Sequence, residues 1–469
     1  MIVEARSHET QENHELPAGF GFVIARTKDV AYPRDRIWSL PPSRNVMQYV
    51  ERMESMAIKE KCLMSVALFF VFAAALNARD FQLFDRTIQV HGFASQGFAY
   101  SNDNNYLTMK TSNGSFAMTG FGVNASMQIT DKLRVGAQVF DQNLGELGNW
   151  KPEIDWAMVD YRFAGWFGVR GGKVKSVLGL YNDTQDMEFL HTWALMPQSI
   201  YPMDVRGDTI AHVGVDIYGR IPIKKLGSLN YTIWGGKRMN DSEGGYLYGL
   251  STSSRVTNPD GSFRYITSST KNITYYGGPV FGTDLRWDTP LKGLLVGFSY
   301  MSQDITAKGV YKKPTTTPYQ LATLKNPLYA FYTEYTYNNL KLACEYRREV
   351  KNSVFNTPTG VLIPGNENAR SGYLSAAYRF FKWLELGAYH SRFIANWSAD
   401  HDDPMNHIYD QAVTARLDFT KSIDFKVEGH FIDGAMINSA LDRGFYAAPN
   451  PAGLKPNMKM LVMRLGYQF

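Results

Sequence analysis

The 469-residue sequence predicts an all-β fold, a sixteen-stranded antiparallel transmembrane barrel, on three observations. Segments of roughly ten to fifteen residues alternate in polarity, the period of a strand with two unlike faces. The spacers between them are alternately short and long. Aromatic residues reach 14%, with 28 Tyr and 28 Phe, and recur at the segment ends.

Composition supports this by exclusion. A helical membrane protein carries several apolar runs of about 20 residues. Here one run approaches that length, the charged fraction is 20% and the mean hydropathy is -0.28. The net charge of +5 is spread without basic patches, so no nucleic-acid partner is expected. Cys62 and Cys344 are the two cysteines, and His191, His212, His390, His401, His407 and His430 are scattered. Neither type shows metal-site spacing, and neither metal nor cofactor is expected.

Lys59-Glu60-Lys61, an apolar core from Cys62 to Leu76 and small residues up to Ala78 read as a secretory signal peptide. Cleavage is expected after Ala78 or Ala75; a membrane-anchoring helix is the alternative. Residues 1–52 contain Pro41-Pro42 and no sustained period. Because a secretory signal normally opens a protein, translation is expected to start at Met53 or Met56. Residues 1–52 are then a non-native or mis-assigned extension, 53–78 the signal and 79–469 the barrel. Without residues 1–78 the chain keeps 40 Lys+Arg against 35 Asp+Glu.

Strands are expected near 87–99, 115–129, 132–141, 153–163, 166–174, 208–219, 227–237 and 272–288. A second eight are expected near 292–305, 325–338, 339–350, 369–380, 382–394, 406–420, 421–433 and 457–469. In the last, Leu461, Met463, Leu465, Tyr467 and Phe469 share one face and Arg464, Gly466 and Gln468 the other. In 421–433, Ile423, Phe425, Val427 and Phe431 oppose Asp424, Lys426, Glu428 and His430. A charged face cannot point into lipid, so it must line a wet interior. Gly277-Gly278-Pro279 weakens the strand at 272–288. Gly120, Gly122 and Ala125 suit either close contact between barrels or strand curvature. A soluble sandwich or propeller is the runner-up; it lacks the aromatics at strand ends, such as Tyr161, Phe163, Trp287, Tyr337, Trp383 and Phe419.

Two motifs carry a family resemblance. The chain ends Gly466-Tyr467-Gln468-Phe469, which resembles the C-terminal signal of outer-membrane proteins and implies recognition of Tyr467 and Phe469 by the barrel-assembly machinery. The run from Arg170 to Asn182 resembles the R-x-G-K-x-K-x-P-x-G-x-Y-N segment of the phosphate-selective porin and related porin-like families, with Val177 in place of the proline. The resemblance spans roughly residues 87–469. It implies a porin in the bacterial outer membrane, a third extracellular loop folded into the lumen after the fifth strand, short periplasmic turns and a homotrimer. It does not carry over phosphate selectivity, because no lysine-rich repeat is present.

The function expected is a water-filled channel for passive diffusion of small polar or charged solutes, since no P-loop or other energy-coupling motif is present. Arg134, Arg170, Arg347, Arg379, Arg416 and Arg464 fall on lumen parity, and the loop supplies Asp183, Asp186, Glu188, Asp204 and Asp208. A basic wall facing an acidic loop would set a transverse field across a constriction. The plainer alternative is that these groups pair and hold the loop in place. Met187 to Met203, with Trp193, Met196, Pro197 and Tyr201, is apolar enough to pack on the wall, to line a sugar track or to support contacts between protomers. No enzyme is expected, for want of a Gly-x-Ser-x-Gly elbow. The alternatives kept open are an outer-membrane enzyme or adhesin on a barrel, and a channel specific for sugars, anions or fatty acids.

Overall fold

The computed structural model describes residues 79–83, 86–239, 241, 243–257, 263–267, 271–312, 315–436 and 444–469. The readings made on residues 1–78 lie outside the described residues.

Sixteen strands form one antiparallel ring. They are β1 (Arg86–Ser101), β2 (Ser115–Gln128), β3 (Leu133–Leu144), β4 (Glu153–Ala164), β5 (Phe167–Lys175), β6 (Ala211–Pro222), β7 (Ser228–Arg238) and β8 (Lys271–Asp288), followed by β9 (Leu294–Tyr311), β10 (Pro318–Tyr337), β11 (Leu340–Asn356), β12 (Leu362–Phe381), β13 (Leu384–Ile394), β14 (His407–Asp418), β15 (Ile423–Asp433) and β16 (Asn457–Gln468). Each strand pairs with the next, and β16 returns to β1 through Leu461↔Tyr100 and Gln468↔Phe93. Closure removes the unpaired edges that an open sheet would expose. Three further strands among the described residues lie outside the ring: Arg79–Leu83, which folds back on Arg86–Val90, and Ser253–Thr257 paired with Phe263–Thr267.

The alternation in the sequence becomes an inverted burial pattern. Outer-face side chains such as Val139, Phe331, Leu374, Val413 and Phe431 are exposed, while inner-face Gln138, Asp216, Lys426, Glu428 and Arg464 are buried. A soluble fold would bury the first set. At the end of the ring that carries the short turns, Tyr161, Phe163, Trp166, Trp287, Tyr337, Phe380, Phe381, Trp383 and Phe419 are exposed. Neighbouring rings in this belt contact one another, as in Phe381–Trp383 at 5.5 Å and Tyr161–Phe163 at 4.6 Å. An amphipathic aromatic band of this kind suits a membrane interface.

The structure departs from the expected strands mainly at the other end. β9 runs on to Tyr311, β10 starts at Pro318, β11 ends at Asn356 and β12 starts at Leu362. Residues expected in long loops are therefore paired, as in Gly309↔Tyr319 and Phe355↔Ile363. The expected spacers here, near 306–324 and 351–368, contain Lys-Lys-Pro-Thr-Thr-Thr and Thr-Pro-Thr-Gly, and their alternation is weak. The extended sheet is stabilised instead by the helix Gly245–Thr252, whose Leu247 and Leu250 cluster with Tyr276, Ile305, Ala307, Tyr311, Tyr319 and Leu321.

Two glycine questions are answered by packing. Gly277-Gly278-Pro279 lies inside a continuous β8, in which Gly278 and Pro279 pair with Arg238 and Lys237 of β7 while the ladder to β9 skips both. A Cβ on Gly122 would stand 2.5 Å from the Phe93 ring, and one on Gly120 3.8 Å from Ser95 Oγ. Gly122 therefore makes room for the Phe93 ring, whereas a Cβ on Gly120 would meet only ordinary contacts.

Candidate functional site

Between β5 and β6 the chain makes its longest excursion, residues 176–210. Its root is tied by Asn182, whose amide donates to the carbonyls of Ser176 and Thr209, each at 2.9 Å. Gly179 has φ +68°, and a Cβ there would lie 2.1 Å from Glu345 Oε1, so only glycine lets the backbone pass so close to β11. From His191 to Tyr201 every residue is buried.

Strand side chains hold this segment by its backbone. Arg347 donates to Ile200 O at 2.9 Å while pairing with Glu345 at 3.0 Å. Arg286 reaches Gly179 O at 2.7 Å. Arg416 donates to Phe189 O and His191 O at 2.7 and 2.8 Å, and Lys426 to Glu188 O at 2.5 Å. The Glu428 carboxylate accepts from the backbone N–H groups of Ala194 and Leu195 at 3.1 and 2.9 Å. Arg464 donates to Ala194 O at 3.0 Å and pairs with Glu188. These contacts come from strands far apart around the ring. The apolar stretch of the segment packs on strand side chains as well: Met196, Ile200 and Tyr201 cluster with Tyr332, Ala343 and Tyr373, and Trp193 stands edge-on to Tyr389 at 5.1 Å.

The residues singled out in the sequence separate into groups. Arg347, Arg416 and Arg464 meet the segment. Arg134 instead bonds Ser126 Oγ at 3.0 Å, Arg170 pairs with Asp216 at 2.8 Å, and Arg379 pairs with Glu385 at 2.6 Å and with Asp418. Among the acids, Asp186 lies between Lys175 at 2.7 Å and Arg206 at 3.5 Å and accepts from Gln138 at 2.6 Å. Burial alone would raise its carboxyl, but those two cations outweigh burial and hold it below the usual carboxylate range. The carbonyl of Asp183 accepts from Lys175 at 2.9 Å, and Asp204 accepts from the Tyr446 hydroxyl at 2.6 Å. Both carboxylate oxygens of Asp208 are buried without a hydrogen-bond partner. Burial, and then the nearby Asp241, push its carboxyl well above the usual range.

Tyr467 lies at the end of β16 and Phe469 just past it, their rings 6.1 Å apart, and the backbone of Phe469 exchanges hydrogen bonds of 3.0 and 3.2 Å with Gly92.

Several residues of the network were not singled out beforehand. Lys426 and Glu428 share the charged face of their strand, and that parity is their signal. Glu345 carries the same signal through its i,i+2 relation to Arg347. Lys175 is the second lysine of the R-x-G-K-x-K segment, which is its signal, whereas Arg206 lies in a stretch with no period and has none.

Ser176, His212 and Asp216 form a hydrogen-bonded chain, with Ser176 Oγ 2.9 Å from His212 Nδ1 and His212 Nε2 2.9 Å from Asp216 Oδ1. All three are fully buried and His212 stacks on Trp234 at 4.7 Å. A nucleophile needs a reachable oxygen with oxyanion donors around it. This chain ties the root of the segment to β6.

No family model matches the sequence, and no curated protein matches it. Among solved structures, OmpT of Vibrio cholerae superposes with a TM-score of 0.50 at 9% identity, covering 83% of this chain and 100% of that one. An anion-selective porin from Comamonas acidovorans gives 0.49 at 11% identity, covering 82% and 100%, and the outer membrane channel DcaP of Acinetobacter baumannii gives 0.49 at 10%, covering 83% and 99%. Identities this low speak to fold alone. In strand number, closure and antiparallel order, the chain has the fold of the sixteen-stranded outer-membrane porins.

Proposed function

We propose that this chain is an outer-membrane porin, a water-filled channel through which small polar or charged solutes diffuse passively. In this reading residues 176–210 fold into the lumen and form its constriction, the short turns face the periplasm and the long connections face outward. One observation carries it: the excursion is bonded through its backbone to charged inner-face side chains around the ring, including Arg286, Arg347, Arg416, Glu428 and Arg464. A soluble domain has no use for an exposed apolar exterior enclosing a charged interior. With the arginines neutralised by partners, the solvated charges nearer the turns, such as Arg134, Arg162 and Arg220, tune ion preference.

Export by the signal at 53–78, recognition of Phe469 by the assembly machinery, residence in the lipid bilayer of the outer membrane and assembly as a homotrimer belong to the same proposal. The test is reconstitution of the refolded chain in a planar bilayer. Stepwise open-channel currents are expected, and a reversal potential under a salt gradient reports ion selectivity. Persistent electrical silence from a folded, inserted chain would overturn the reading and leave the adhesin or enzyme.

A further inference from the structure

A cavity of about 80 Å³ lies beside the excursion, lined among others by Asp208, Tyr246, Tyr276, Met301, Gln303 and Ser371. It has room for several waters or a solute of a few heavy atoms. Two charged groups here lack full partners: Asp208 in the cavity wall, and Arg238, which meets that wall from behind through Met301 and Gln303. Asp208 is 7% exposed, and neither carboxylate oxygen has a hydrogen-bond partner. Arg238, at the end of β7, is 4% exposed; Nη2 bonds Gln303 Oε1 at 2.8 Å and Met301 Sδ at 3.4 Å, but Nε and Nη1 have no partner. The guanidinium thus abuts the two wall residues, and it forms no ion pair with Asp208.

Leaving buried groups of this kind unmatched is costly, and a native site keeps them only where something supplies the missing bonds. The other charges on the wall are already paired, Arg347 with Glu345 and Lys351 with Glu349. What is missing is therefore a hydrogen-bond donor for the Asp208 carboxylate and an acceptor for the Arg238 N–H groups. We propose that this cavity is a binding subsite for a small zwitterionic solute, an α-amino acid in size and charge, with its ammonium on Asp208 and its carboxylate on Arg238. Tyr246 and Tyr276 supply apolar ring surface for the short carbon skeleton between the two charges. A bound ammonium also opposes the burial and the neighbouring Asp241 that raise the Asp208 carboxyl. The proposal rests on the channel reading and names a solute class for it.

The test is ligand-observed saturation-transfer NMR on the full chain folded in detergent, with L-alanine as the probe and propionate and ethylamine as its single-charge counterparts. Alanine is expected to bind at least about ten-fold more tightly than either counterpart, and Asp208→Asn or Arg238→Met each to weaken alanine about ten-fold or more. Heat-modifiable gel mobility reports whether each variant folds; if one does not, the preference of the native chain for alanine decides alone. Equal binding of the three probes, no binding of alanine, or folded variants that bind alanine unchanged would overturn the subsite and leave water as its occupant. A chain that binds alanine but carries no current keeps the subsite and loses the channel, whereas one that conducts without preferring alanine does the reverse.

Discussion

Arg464, five residues from the C-terminus, donates a hydrogen bond of 3.0 Å to the carbonyl oxygen of Ala194, 270 residues earlier, and pairs with Glu188 in the same segment. The last strand to close the ring thus also holds the long excursion between β5 and β6. Arg464→Met leaves Glu188 and the Ala194 carbonyl without this partner, at a cost of about 3 kcal/mol. Single-channel recording is expected to show increased current noise, and the thermal midpoint to fall. An unchanged midpoint and quiet currents would count against the anchor.

Glu428 holds the same segment from the other polarity, taking two consecutive N–H groups, Ala194 and Leu195. Glutamine keeps the shape but turns an amide donor toward one of those N–H groups. Glu428→Gln is expected to destabilise by about 2–3 kcal/mol, the range for hydrogen bonds to a charged group. Amide exchange at residues 194 and 195 should accelerate more than exchange in β14, which checks that the loss is local.

Gly179→Ala adds a Cβ 2.1 Å from Glu345 Oε1 at a φ of +68°. The backbone term alone costs about 1–3 kcal/mol. The variant should refold with a lower thermal midpoint, and the shift should shrink in a Glu345→Ala background if the close approach to that carboxylate is the cause.

His191 is a source of acid sensitivity. Burial first, and then the nearby Lys426 and Lys341, bring its imidazole down to about 3, and Nε2 donates to Thr184 O at 3.0 Å. In the unfolded chain the ring titrates near about 6.5. Above that pH both states are neutral and the contribution is fully present. As pH falls below it the unfolded chain takes up a proton that the folded chain refuses down to about 3, so stability is lost as pH falls through this window. Thermal midpoints between pH 7 and 5, above most carboxylate titration, should decline in the native chain and stay flatter in His191→Gln; equal slopes would remove His191 as the cause.

The ion preference of the proposed channel is open to a selectivity test. Arg134 and Arg162 are exposed at the end of the ring that carries the short turns, whereas Arg347 and Arg464 are buried and paired. Neutralising Arg134 and Arg162 is therefore expected to move the reversal potential toward cation preference, by electrostatics and without loss of fold. If only Arg347→Met or Arg464→Met moves it, the buried network sets selectivity.

The ring was legible in the sequence because its strands obey a period of two. Lys426, Glu428 and His430 on one face, and Phe425, Val427 and Phe431 on the other, need no tertiary knowledge to separate, since lipid and water accept opposite side chains. The alternating turn and loop lengths, and hence the count of sixteen, follow from the same pattern. That logic fails where neither face meets lipid. The extended ends of β9 to β12, stabilised by the helix Gly245–Thr252, carry little alternation and read as loops.

What the tertiary structure alone decided is who pairs with whom. The sequence placed Arg347, Arg416 and Arg464 on the inner face but could not say that their donors go to backbone carbonyls of residues 178–200. Nor could it say that Arg134, Arg170 and Arg379 find partners elsewhere. Residues 176–210 have no period, so nothing local sets their path; that path depends on a glycine that clears Glu345 and on charges brought together from strands hundreds of residues apart. Local periodicity encodes a wall, because each strand meets the same two media. What packs against that wall depends on long-range contacts that exist only once the ring has closed.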